Sequence, residues 1–159
     1  MSPERPSESA DQRADRNFNE LLQEMRVLQA GVQILFAFLL TIPLQVRFER
    51  FDSWERGMLL AALVMSALAV TCFIAPVAYH RTLFRMGAKT EIVEASNRYA
   101  RAGLAFLVLA ICAALQLALD LIVGRQAAVG LAVGLAAVLV TVWGILPGLR
   151  RRHYEQARS

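Results

Sequence analysis

Residues Phe18–Val46 read FNELLQEMRVLQAGVQILFAFLLTIPLQV, and the reading of this stretch decides the fold. Phe18, Leu21, Met25, Leu28, Val32, Leu35, Leu39, Ile42 and Val46 recur at alternating steps of three and four, the period of one side of a helix. Gln23, Arg26, Ala30, Gln33, Ala37 and Thr41 keep the same rhythm on the other side. Glu20, Glu24 and Arg26 occupy the first turns, and the second half is almost wholly apolar. A helix that begins in water is therefore expected to run unbroken into a bilayer. Helix contacts in membranes favour small residues and polar groups that bond across the interface, so the bulky stripe is expected to face lipid and the small, polar side the neighbouring helices.

Outward from this segment lie three more apolar runs. About 20 helical residues span the hydrocarbon layer, and the stretches that qualify are roughly 27–46, 57–79, 100–123 and 127–149. With 57% hydrophobic residues in a chain of 159, lipid is the second solvent. The expected fold class is all-α, a four-transmembrane-helix bundle. Residues 1–17 mix Ser, Pro and both charges without periodicity and are expected to form a disordered cytoplasmic tail, with 18–153 the transmembrane domain and 154–159 a second short tail. No signal-peptide order of basic region, apolar run and small-residue cleavage site precedes the first span, which is expected to stay attached.

The net charge of +4 belongs to cations that flank the spans, which argues for orientation rather than nucleic-acid binding. With four spans, the N-terminus, the loop between spans 2 and 3 and the C-terminus share one side. That side carries thirteen Lys and Arg residues against four on the other. The bias places both termini in the cytoplasm of a multi-pass protein of the cytoplasmic (inner) membrane. The basic stretch 81–89 is suited to contact with anionic lipid at that face. Thr90 is a candidate cap with Glu91 after it, so helix 3 is expected to start there and to be about 50 Å long against a hydrocarbon layer of about 30 Å. Helices 1 and 3 are thus expected to extend on the cytoplasmic side.

Pro43 is expected to end helix 1 near the outer surface, and Phe48, Phe51 and Trp54 suit the outer interface. The turn around Gly124–Arg125–Gln126 is so short that spans 3 and 4 must be antiparallel neighbours. In span 4, Ala127, Gly130, Gly134, Ala137, Thr141, Gly144 and Gly148 recur at steps of three and four, which predicts a continuous small face for close helix packing.

Few residues carry chemistry. Asp120 is the acid well inside a span, about three residues from its outer end, with Arg125 close enough to pair and Gln116 one turn earlier as a hydrogen-bond partner. An interfacial structural role is expected for it ahead of an ion-linked one. Gln29 and Gln33 sit one turn apart and suit interhelical hydrogen bonds; with Arg26, Gln116 and Asp120 they form the candidate polar site. His80 and Arg81 at the cytoplasmic end of span 2 suit headgroup contacts, and Glu20, Glu24 and Glu94 a solvated helix face or a partner. Cys72 and Cys112 fall inside spans with no C-x-x-C pattern and are expected to pack as apolar groups. No phosphate-binding loop, metal-spaced His/Cys set or nucleophile elbow occurs. The expectation is a non-enzymatic protein without cofactor or metal, a module for self-association or for another membrane protein. A small channel or ion-coupled transporter lined by polar residues of helices 1 and 3 is the alternative.

The run NELLQEMRVLQAGVQILFAFLLTIP at Asn19–Pro43, with APVAYHRTLFR at Ala75–Arg85, resembles a family of small actinobacterial membrane proteins of unknown function. The resemblance implies a four-helix membrane protein, with Glu20–Gln33 and the His80–Arg81 pair matching recurrent family patterns.

Overall fold

In the computed structural model of the protein, residues 10–83 and 89–150 are described. All four expected helices are present: α1 (Ala10–Thr41), α2 (Ser53–Leu83), α3 (Lys89–Val123) and α4 (Arg125–Val140). The last continues through a π turn at Thr141–Ile145 into helix up to residue 150. Within the described residues, the segments Asn19–Leu44, Ser53–Ala78, Glu94–Val123 and Arg125–Arg150 are each long and apolar enough to cross a membrane.

The ends follow from local chemistry. α1 begins at Ala10, eight residues before the expected Phe18, so part of the stretch read as a disordered tail is helical. Ala, Gln, Arg and Glu are good helix formers, and Arg16 pairs with Glu20 one turn on at 3.9 Å. Residues 1–9 and 154–159, also read as tails, lie outside the described residues. As expected, Pro43 ends α1, entering a 3-10 turn at Ile42–Leu44. α2 begins with a reciprocal cap: the Glu55 N–H donates to Asp52 Oδ1 at 2.9 Å and the Asp52 N–H to Glu55 Oε2 at 2.8 Å, satisfying two otherwise orphaned backbone donors. Between α3 and α4 stands the single residue Gly124, with φ +81° and ψ 161°, a region open essentially to glycine alone.

The chain divides into two compact units. The first takes residues up to Ala37 of α1, α2 from Ser66 and α3 up to Phe106. Its described core is Met25, Val32, Ser66, Ala69, Phe73, Pro76, Ser96 and Gly103. Four of those eight are Ser, Ala or Gly, which lets helix backbones approach closely. The closest approach is at Gly103, where a built Cβ would lie 2.5 Å from Cε1 of the buried Phe73 ring. The absent side chain is the space the ring occupies.

The second unit holds Phe38–Met65 and the chain from Leu107. Its core is Leu39, Phe51, Leu59, Ala62, Leu107, Ala110, Gln116, Leu117, Ala128 and Ala132. The connection between α1 and α2 is organised by Arg56, whose Nε donates to the Phe51 carbonyl at 3.0 Å and whose guanidinium lies 5.4 Å from the centre of the Phe48 ring.

Two expectations are corrected. The α1 stripe expected to face lipid supplies that helix's buried residues, Met25, Val32 and Leu39, while Ala30, Gln33, Ala37 and Thr41 on the small, polar side are exposed. Met25, Val32 and Leu39 are seven residues apart, the repeat of a knobs-into-holes seam, and bulky knobs fill more interior than alanine does. On α4, the face read as continuous is interrupted by the π turn, where the Leu146 N–H bonds to the Thr141 carbonyl, five residues back.

Candidate functional site

Within the second unit, the polar groups gather where α2 starts, α3 ends and α4 begins. Asp52 caps α2, Asp120 stands in the last turn of α3, and Arg125 opens α4 immediately after Gly124. Arg125 donates from Nε to Asp120 Oδ2 at 3.3 Å and from Nη2 to Asp52 Oδ2. Its guanidinium also lies 5.7 Å from the centre of the Trp54 ring, within reach of the ring quadrupole. The Asp120 side chain is 7% exposed, against 47% for Arg125 and 52% for Asp52. Two carboxylates thus share one guanidinium at a corner fixed by a helix cap and a one-residue turn.

The Arg125 guanidinium, and after it the Glu55 N–H, hold the Asp52 carboxyl below its ordinary value of 3.8. A folded pKa below the unfolded one contributes stability that is present at neutral pH and is lost as pH falls through the folded value. The melting temperature of Asp52→Asn is therefore expected to lie below that of the native chain at pH 7. Melts followed by circular dichroism should show this gap closing as pH drops below 3.8.

Beside the corner runs an apolar groove of about 390 Å³. α2 contributes Trp54, Met58, Ala61 and Met65; α3 contributes Leu109, Cys112, Ala113 and Gln116; α4 contributes Val129, Ala132, Val133 and Ala136. The alanines on all three helices make the hollow, and Trp54 joins it to the ionic corner. Gln116 is the polar exception. It is 4% exposed, and neither Nε2 nor Oε1 has a hydrogen-bond partner. A buried amide left in this way costs about 1–3 kcal/mol. The expected bond from Gln116 to Asp120 is not made: Arg125 takes Asp120 Oδ2 instead.

A family model described as a family of unknown function, DUF6328, matches residues 7–147. The chain belongs to that family. No curated protein and no solved structure matches it. The DUF6328 match takes in Asp52, Trp54, Gln116, Asp120 and Arg125, so the corner and the groove lie within the family region.

The remaining candidates in this DUF6328 chain are placed as follows. Gln116 and Asp120 belong to the second unit, Arg26, Gln29 and Gln33 to the first. Arg26 is exposed and donates to Gln23 Oε1 at 3.4 Å. Gln29 is half-buried and Gln33 exposed. Glu20, Glu24 and Glu94 are exposed, Glu20 being held by Arg16. His80 and Arg81 fall within α2, their side chains outside the described residues. Gly130, Gly134, Ala137, Thr141, Gly144 and Gly148 are all exposed. Cys72 and Cys112 are half-buried free thiols. Among the described residues no His, Cys, Asp and Glu cluster suits a metal. Sequence reasoning missed Asp52, and it read Trp54 as an interfacial aromatic without its contact with Arg125. The D-x-x-E at Asp52–Glu55 is the signature of a helix start and would have found the cap, though not its pairing with a residue 73 positions away.

Proposed function

We propose that this protein is a non-enzymatic assembly module of the cytoplasmic membrane, which associates with further copies of itself through the small-residue face of α4. One observation carries this reading: the face is left unused by the protomer. Gly130, Gly134, Gly144 and Gly148 are exposed, and a Cβ built on any of them meets nothing within 4 Å. The buried residues of α4, Ala128 and Ala132, lie about half a turn around the helix from Gly130, Gly134 and Ala137, and the groove-lining Val129, Val133 and Ala136 about a quarter to a third of a turn. The thirteen-to-four distribution of cations supports a cytoplasmic location for both termini.

The test is particle mass in a mild detergent or in lipid nanodiscs. The native chain is expected as a dimer or larger. Gly134→Leu is expected to shift it to monomer with helix content retained, since a Cβ built at that position meets nothing within 4 Å. A native chain that is monomeric at all concentrations overturns the reading.

A further inference from the structure

We propose that the groove between α2, α3 and α4 is a lipid site that takes one acyl chain of a glycerophospholipid with a primary-amine headgroup. The ester carbonyl would sit at Gln116 and the headgroup at the Asp52–Arg125–Asp120 corner.

Three observations meet in this assignment. The groove is lined by apolar side chains apart from Gln116. It belongs to helices long and apolar enough to span a membrane, so the molecules that surround it are lipids. Pocket volumes of about 300–1,000 Å³ suit a bound molecule rather than a packing defect, and the volume of about 390 Å³ falls in that range. An acyl chain fits the walls formed by Met58, Met65, Leu109 and Val133, and the flexible thioethers adapt to its irregular outline.

The second observation is Gln116. Its amide is buried with both polar atoms unpartnered, in a place where pure packing would have favoured leucine. The terminal torsion of glutamine is soft, so the amide can turn to an ester carbonyl that enters the groove, and Nε2 can donate to it. The buried amide nitrogen is then satisfied by the occupant.

The third is the charge at the open end. Asp52 and Asp120 share Arg125, so the corner carries two carboxylates for one guanidinium. An ammonium group supplies the second cation, and it can donate to the exposed carboxylate of Asp52. Nη1 of Arg125 takes part in neither of its bonds to the two carboxylates and is available to the phosphate beside that ammonium. A choline head cannot donate a hydrogen bond, and a glycerol head brings no cation. Spacing agrees: Gln116 and Asp120 are one helical turn apart, about 6 Å along α3, and in a glycerophospholipid the ester carbonyls likewise lie just beneath the phosphate.

Native mass spectrometry of the full-length protein tests this, with palmitoyl-oleoyl phosphatidylethanolamine, phosphatidylcholine and phosphatidylglycerol titrated separately into the delipidated chain. The ethanolamine lipid is expected to be retained at one per protomer, at concentrations about tenfold below the other two, which corresponds to about 1.4 kcal/mol. Asp52→Asn is expected to erase the headgroup preference while leaving chain binding. Gln116→Leu is expected to weaken retention of all three lipids, with helix content unchanged. Equal retention of the three lipids by the native chain overturns the proposal and leaves annular lipid only. A preference that survives both substitutions overturns it as well, because the lipid then lies elsewhere. Neither result bears on self-association, which is read from the protein mass of the particle in detergent or nanodiscs.

Discussion

Gly103→Ala is expected to destabilise the protein by about 1–3 kcal/mol, the usual cost of forcing extra atoms into a packed interior. The sign is not obvious, because alanine is favoured over glycine in a helix by about 0.8–1.0 kcal/mol. Geometry decides it. The new methyl would stand 2.5, 2.8 and 3.0 Å from Cε1, Cδ1 and Cζ of Phe73, whose ring is 1% exposed and has nowhere to move. Gly31→Ala is the control: nothing lies within 4 Å of that position, so the helix preference acts alone and stability should hold or rise. Thermal melts in detergent compare the two. Phe73→Leu placed on Gly103→Ala should recover part of the loss, since two residues in contact couple rather than add. If Gly103→Ala melts with or above the native chain, the ring does not fill that space.

Gln116→Leu is expected to act in the opposite direction and to stabilise the delipidated protein by about 1–3 kcal/mol. That is the desolvation cost of a buried polar group without a partner, and leucine restores similar volume without polar atoms. Few buried substitutions gain stability, because most remove packing or break a bond. This one removes neither, as both amide atoms of Gln116 are unpartnered. Chemical denaturation of the lipid-free protein measures the gain. When the ethanolamine lipid is present, the native chain should recover much of the difference, because a ligand that binds the folded state stabilises it. A loss of stability on Gln116→Leu without lipid would mean that the amide is bonded within the chain.

The four spans, the end of α1 at Pro43 and the tight turn at Gly124 were legible because each rests on a local rule: span length, a missing backbone donor, a glycine-only conformation. Which side of α1 is buried was not. Both of its stripes repeat at three and four residues, and periodicity identifies two faces without saying which is inside. The preference for small residues at membrane interfaces pointed one way, and the seam through Met25, Val32 and Leu39 prevailed. The early start of α1 at Ala10 was hidden by a charged, aperiodic composition that nonetheless contains good helix formers. For the site, Asp120 with Arg125 was legible because the two lie five residues apart across the short connection between α3 and α4. Asp52 was not, since it meets Arg125 only once the spans have folded. Gln116 was visible as a polar residue in a span, whereas its lack of a partner depends on where three helices leave space.

The π turn at Thr141–Ile145 changes what α4 can build. An i→i+5 turn accommodates one extra residue, which rotates everything beyond it by about 100°. Gly130, Gly134 and Ala137 then point one way, and Gly144 and Gly148 about a quarter turn aside. A straight neighbouring helix covers one facet and leaves the other open. A helix with one small facet closes into a pair and stops. A helix with two facets is a corner piece, and in the self-association proposed above it would hold two neighbours at once.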